Sequence, residues 1–340
     1  MRCFESNVRT LFALFMLGLG IAGCSGSKQS ETNEFVWPSP PDEPRIKYVR
    51  TMLGSDDYIS GLGAVTRALA GGSNAISLSN PFDLCTDGCG HVWVTDVAIG
   101  VLLFDDLKGE VTQLGELSKI PLDDPRGIAC GNNKIFVGLV SRGQVVVLTP
   151  EGKDLYVIGR RGAFQNPVDV VYDSLKHRVI VVDNKLNNVS VFSENGDSLF
   201  VFGRRGSLDG EFNFPQSAAV DGESNIYVVD SFNYRVEIFD STGKFLRKFG
   251  SQGDGWGMFG RPKGIVLDSY KNIYVIDAYF HNFQVFSQQG ELLLFVGGKF
   301  SSENDGFEDP VSLAIDQKNT LYVTDQLNKR IQVFQLLKGN

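Results

Sequence analysis

Histidine is scarce here: three residues in 340. A catalytic zinc needs three protein ligands on one centre, so little is left for that chemistry. Cysteine is also scarce, at five. Cys85 and Cys89 are spaced for a metal pair, but no second pair completes a zinc site. Positive charge is short. There are 32 Lys and Arg against 40 Asp and Glu, a net charge of −8. Phosphate binding needs a basic surface, so nucleic acid is excluded as the main partner. The same balance argues against adhesion to anionic lipid headgroups. The apolar run Leu11–Ile21 is 11 residues long, too short to span a bilayer as a helix. No serine-centred elbow, glycine-rich phosphate loop or cysteine–histidine pair is evident.

What is present is a repeat. Pro81, Pro125, Pro167, Pro215, Pro262 and Pro310 follow one another at intervals of 44, 42, 48, 47 and 48 residues. Each opens a similar phrase of short strands. Within Phe214–Gly250, Ser217–Asp221 is a small-residue strand suited to a crowded axis. Ile226–Asp230 is β-branched and aromatic, as a buried strand is. Arg235–Phe239 alternates, and Phe245–Phe249 forms an outer edge. Turn residues separate the four. Four strands per repeat at this period predict an all-β, six-bladed β-propeller of four-stranded antiparallel blades. The blades start at residues 81, 125, 167, 215, 262 and 310, within a propeller spanning 45–340.

The repeat carries its own anchors. Asp87, Asp173, Asp221, Asp268 and Asp316 stand six residues after the proline. Asp96, Asp183, Asp230, Asp277 and Asp325 end the second strands. Blade 2 breaks both rules, with Gly131 and Leu139. Blades 4 and 6 add arginines five residues beyond the aspartate. The phrases YVVDSFNYRVEIF and YVTDQLNKRIQVF resemble NHL repeats, most closely in blades 4 to 6 and least in blade 2. The resemblance implies that Asp230–Arg235 and Asp325–Arg330 are structural braces between strands, not catalytic groups.

Blade 6 runs out of chain after three strands. The strand-like segment at 45–54 ends in Leu53-Gly54, as outer strands elsewhere end in Phe249-Gly250. It is expected to supply the missing outer strand, closing the ring and covering an open edge. Between it and Pro81, residues 55–80 read as a helical insertion. Ser55, Asp56 and Asp57 are candidate caps, Tyr58, Ile59, Leu62, Val65 and Leu69 form one face, and Gly71-Gly72 is a stop.

The N-terminal segment is expected to be processed. Residues 1–23 read as a signal peptide, with the apolar core ending in Ile21-Ala22-Gly23-Cys24. This resembles a bacterial lipobox, which implies a lipid on Cys24. Ser25 at the following position, in place of aspartate, is similar to the outer-membrane sorting pattern of Gram-negative lipoproteins. Losing Arg2, Arg9 and Glu5 with the leader leaves 30 basic against 39 acidic side chains. Residues 24–44, rich in Ser, Pro and charge, read as a lipidated end and flexible tether. The expected location is the bacterial cell envelope, on the periplasmic or surface side of the outer membrane if Gram-negative. Disulfides persist there. Cys85 and Cys89 flank a tight turn, so a bridge between them and a buried free thiol at Cys85 both remain open.

Propellers bind ligands on the face that carries the crossing loops and the turns between second and third strands. The binding-face candidates are Tyr279, Phe280, His281, Phe232, Tyr234, Arg142 and Lys185. Aromatics beside cations are what interface hot spots look like. No catalytic residue is nominated. The three histidines fall on different blades and faces. The reading is a lipid-anchored binding or scaffold module for an envelope protein or polysaccharide, without cofactor and held to the membrane by its lipid alone. The alternative is an envelope hydrolase or lyase with a metal, calcium for example, held by carboxylates near the axis.

Overall fold

The computed structural model describes residues 35–58 and 75–337. It is a six-bladed all-β propeller. The inner strands are Pro81–Thr86, Pro125–Gly131, Pro167–Asp173, Pro215–Val220, Pro262–Leu267 and Pro310–Ile315. Each starts at the periodic proline, a position where a strand tolerates the missing N–H. The proline pairs with the residue ending the second strand, as Pro81 does with Asp96 and Pro262 with Asp277, and a bulge follows in every blade.

Ring closure is as expected. Ile46–Met52 runs antiparallel to Arg330–Leu336 as the outer strand of blade 6. A further strand lies outside it: Val36–Trp37 pairs with Ile46 and Lys47. Trp37 meets the Phe334 ring edge-on at 5.8 Å and Phe35 meets Tyr48 at 6.1 Å. The tether expected over 24–44 therefore gives way from Phe35 onward to a docked segment, because two aromatics there have rings to pack on. Residues 24–34, Cys24 among them, lie outside the described residues.

Of the helical insertion only its start is described, a 3-10 turn at Ser55–Tyr58. Asp57 caps it, accepting from the N–H groups of Leu53 and Gly54 at 2.5 and 2.8 Å. Ile59, Leu62, Val65, Leu69 and the glycine stop lie outside the described residues.

The core is divided into six clusters, one at each contact between neighbouring blades. Phenylalanines fill most of them. Phe212 and Phe239 lie between blades 3 and 4, Phe259 and Phe286 between 4 and 5, and Phe283, Phe307 and Phe334 between 5 and 6. All seven are fully buried. Each such ring contributes about 1.5–3 kcal/mol, so every blade is held by its two neighbours.

The periodic aspartates are turn builders. Asp221 Oδ1 accepts from the N–H groups of Glu223 and Asn225, and Asp268 and Asp316 do the same in their blades. The second series ties the crossing loops down. Asp96, Asp183 and Asp277 each accept from two successive N–H groups of the loop ahead of the blade. Asp230 and Asp325 add the braces: Arg235 Nε donates to Asp230 at 2.9 Å and Arg330 Nε to Asp325 at 2.8 Å. Each arginine also donates to three loop carbonyls. Blade 2 departs at Gly131 for a steric reason. A Cβ there would come 2.1 Å from the Tyr172 ring, which stacks on Phe136 at 5.3 Å.

The Cys85–Cys89 bridge is not made. Cys85 and Cys130 are free thiols. Cys85 packs into the cluster between blades 1 and 2, with Cys130 at its edge. Burial raises its pKa well above the ordinary value, and the hydrogen bond with Cys130 acts in the same direction.

Candidate functional site

Two places concentrate chemistry: the axis and one sector of the top face. On the axis, the second residue after each proline forms a tier of Asp83, Gly127, Asp169, Ser217, Gly264 and Ser312. Gly127 and Gly264 are forced by neighbouring backbone, which a Cβ would meet at 2.4 and 2.8 Å. The remaining four form a network. Asp83 Oδ1 accepts from Ser312 Oγ at 2.5 Å, and Oδ2 accepts from the Ile128 N–H at 2.8 Å. Asp169 Oδ2 accepts from Ser217 Oγ at 2.7 Å and the Ala218 N–H at 2.8 Å. Burial raises both carboxyl pKa values, and the Asp169 charge adds to the rise at Asp83.

A calcium ion takes six to eight oxygens, whereas these carboxylates are already engaged by protein donors. Among the described residues no three His, Cys, Asp or Glu side chains group as a metal site. Lys263, nearer the top, is bound to Asp309 at 2.8 Å, and burial lowers its pKa.

The top face tells a different story in blades 4 and 5. The turn after Asp277 carries Tyr279, Phe280 and His281, and the matching turn of blade 4 carries Phe232 and Tyr234. Asp277 fixes the first by accepting from the N–H groups of Tyr279 and Phe280 as well as those of Gly260 and Arg261. A hollow of about 440 Å³ opens between the two turns. Phe232, Tyr234, Gly260, Arg261, Ala278, Tyr279 and His281 line it.

Gly260 makes room: a Cβ there would meet the Tyr279 and Phe280 rings at 2.6 and 3.0 Å. Tyr279 is 66% exposed and Phe232 52%. Neither ring stands alone. Phe280 meets Tyr279 edge-on at 5.1 Å, Phe214 stacks on Phe232 at 5.1 Å, and Phe300 meets His281 at 5.0 Å. Outside the same crossing loop lies a second hollow of about 280 Å³, lined in part by Trp256, Phe280, Asn282 and Phe295. Trp256 is 81% exposed and packs on Phe295 at 5.6 Å.

Five of the seven binding-face candidates thus meet in one sector. Four line the first hollow and Phe280 lines the second. Arg142 and Lys185 do not join them. They occupy the corresponding turns of blades 2 and 3, where Arg142 bonds Gln144 at 3.3 Å and Lys185 is exposed. Sequence reasoning did not name Arg261, Phe214 or Phe300 for this site. The only linear signal was their position at the ends of crossing loops.

A family model described as a 6-bladed beta-propeller matches residues 221–294. No curated protein matches the chain. Among solved structures, a streptogramin B lyase is similar at 13% identity, with a TM-score of 0.55 over 77% of this chain and 95% of the other. A structural-genomics protein of unknown function from Bacteroides thetaiotaomicron gives 16% identity and a TM-score of 0.63, over 78% and 71%. An auxiliary nutrient binding protein from the same organism gives 16% and 0.59, over 77% and 70%. At these identities the likeness is one of fold.

Proposed function

We propose that this chain is an NHL-type propeller exported to the bacterial envelope, anchored through a lipid on Cys24, that captures a partner on the top face of blades 4 and 5. The observation that carries the reading is the clustering of exposed aromatics there. Large rings left exposed together, each backed by another ring, are what a recognition surface needs. The fold likeness to a nutrient binding protein is compatible with it. The alternative, an envelope hydrolase or lyase working through an axial metal, meets two carboxyl groups that are already hydrogen-bonded to protein donors. The test is capture from detergent-solubilised envelope, using the chain tagged at its C-terminus. Replacing Tyr279 and Phe280 by alanine should leave the thermal midpoint nearly unchanged. It should cut capture by the equivalent of about 2 kcal/mol or more. Lys318→Ala, on the opposite face, should change neither. Undiminished capture by the double variant would place the binding surface elsewhere.

A further inference from the structure

We infer that the two hollows flanking the 251–261 crossing loop form one strip that binds a neutral oligosaccharide; this rests on the top-face reading above. Three features lead there. The first is a ridge of rings. Phe232 and Tyr279 border the inner hollow, Tyr279 touches Phe280, and Phe280 shares the outer hollow with Trp256. Exposed rings of this kind stack on the C–H face of a pyranose, which is apolar on that side and polar along its edge.

The second is a pair of unsatisfied polar atoms. His281 Nδ1 and Asn282 Oδ1 are buried without a hydrogen-bond partner. They belong to successive residues, one lining each hollow. A buried polar atom left unpaired costs about 1–3 kcal/mol, and such groups in a folded protein call for a partner. Each side chain lines its hollow, so a turn of the ring or amide would present these atoms to sugar hydroxyls, which are donors and acceptors at once and can serve the amide oxygen and either tautomer of the imidazole.

The third is charge. Arg261 at the inner hollow is paired with Asp309 at 2.6 Å, and the Asp277 carboxylate beneath is occupied by four N–H groups. Asp254 lines the outer hollow and repels anions. Among the described residues Arg261 is the one cation lining either hollow, and its charge and that of Lys263, which shares Asp309 with it, are balanced by Asp309 and Asp277, so the fitting ligand is uncharged.

The experiment is affinity electrophoresis of the full chain in detergent, through gels containing β-glucan, mannan, xylan or starch. Titration of tryptophan emission with oligosaccharides of whichever polymer binds follows it. At least one neutral polymer should retard the protein and shift the emission, since Trp256 is exposed in the free chain. Binding should be insensitive to salt between about 0.05 and 0.5 M, because screening acts only on charge. Trp256→Ala and Tyr279→Ala should each weaken binding about 30-fold, with unchanged melting curves. Trp256→Phe, which keeps a ring, should restore most of it.

Retardation by none of the four neutral polymers overturns the inference, as does binding that survives both alanine variants or falls with salt. If an envelope protein is instead captured in a Tyr279-dependent way, the glycan assignment fails while the binding face stands. If neither ligand class depends on these rings, both fail.

Discussion

Replacing Glu237 by glutamine should stabilise the ring above neutral pH and do little near pH 5. Glu237 is fully buried in blade 4. Its Oε1 lies 3.2 Å from Arg235 Nη2 and accepts weakly from the Gly210 N–H, while Oε2 has no partner. Blades 5 and 6 hold Gln284 and Gln332 at the matching position. Each donates its Nε2 to a crossing-loop carbonyl, that of Met258 at 3.0 Å and that of Gly306 at 2.7 Å. In blade 4 the matching carbonyl is that of Glu211, and a carboxylate cannot donate to it. Burial pushes the Glu237 pKa up from 4.5 to about 7, against the pull of Arg235.

A folded-state pKa above the unfolded one means that the proton favours the fold. That stability is present in full below about 4.5 and is lost as pH rises through 7. A rise of about 2.5 units corresponds to at most about 3 kcal/mol. Glutamine escapes this loss and gains the donor that glutamate lacks when ionised. For a domain of this size the gain at pH 8 should be about 3–6 °C in midpoint, shrinking to near zero at pH 5. Melting curves of both proteins from pH 5 to 8, at constant ionic strength, measure it. A gap independent of pH, or a destabilised variant at pH 8, would refute the argument.

Two further outcomes are expected. Deleting residues 45–54 should lower the melting midpoint severely and promote aggregation, because it removes buried Ile46 and Met52 and bares the edge of Arg330–Leu336. Deleting residues 25–34 should leave the midpoint in place, and similar midpoints for the two deletions would show that closure is made elsewhere. Cys24→Ser should abolish incorporation of a fatty-acid probe, since serine offers no thiol for a thioether; equal labelling would end the lipid-anchor proposal.

The architecture was legible because a ring of like blades repeats its own grammar. A proline opens every inner strand, and the aspartate that ties down the crossing loop marks every blade but the second. The closing strand could be read from a missing partner in blade 6. What escaped depended on contacts between distant loops. Gly131 is a glycine because of Tyr172, one blade away. Trp37 is docked because Phe334 lies beneath it. Arg261 is paired with Asp309, 48 residues on, at the next blade boundary, where Lys263 shares the same carboxylate. The aromatic sector was half visible. Tyr279, Phe280 and His281 are adjacent in sequence, whereas Phe214, Phe300 and Arg261 reach them only when crossing loops of successive blades come side by side. Arg142 and Lys185 occupy the same kind of turn as Tyr279, but the ring's circumference separates them from it.

The closing pair has a consequence in time as well as in space. Ile46–Met52 joins the ring only through Arg330–Leu336, so the first strand of the ring must wait for the last. While the chain is being made, blade 6 lacks its outer strand and the cluster between blades 6 and 1 stays open. A chain that cannot finish folding until its final strand emerges remains pliable until its synthesis is complete. Pairing so distant in sequence also places the slow step at the end of assembly. Agents that grip an extended Ile46–Met52 should therefore delay folding more than those that grip any strand inside a blade.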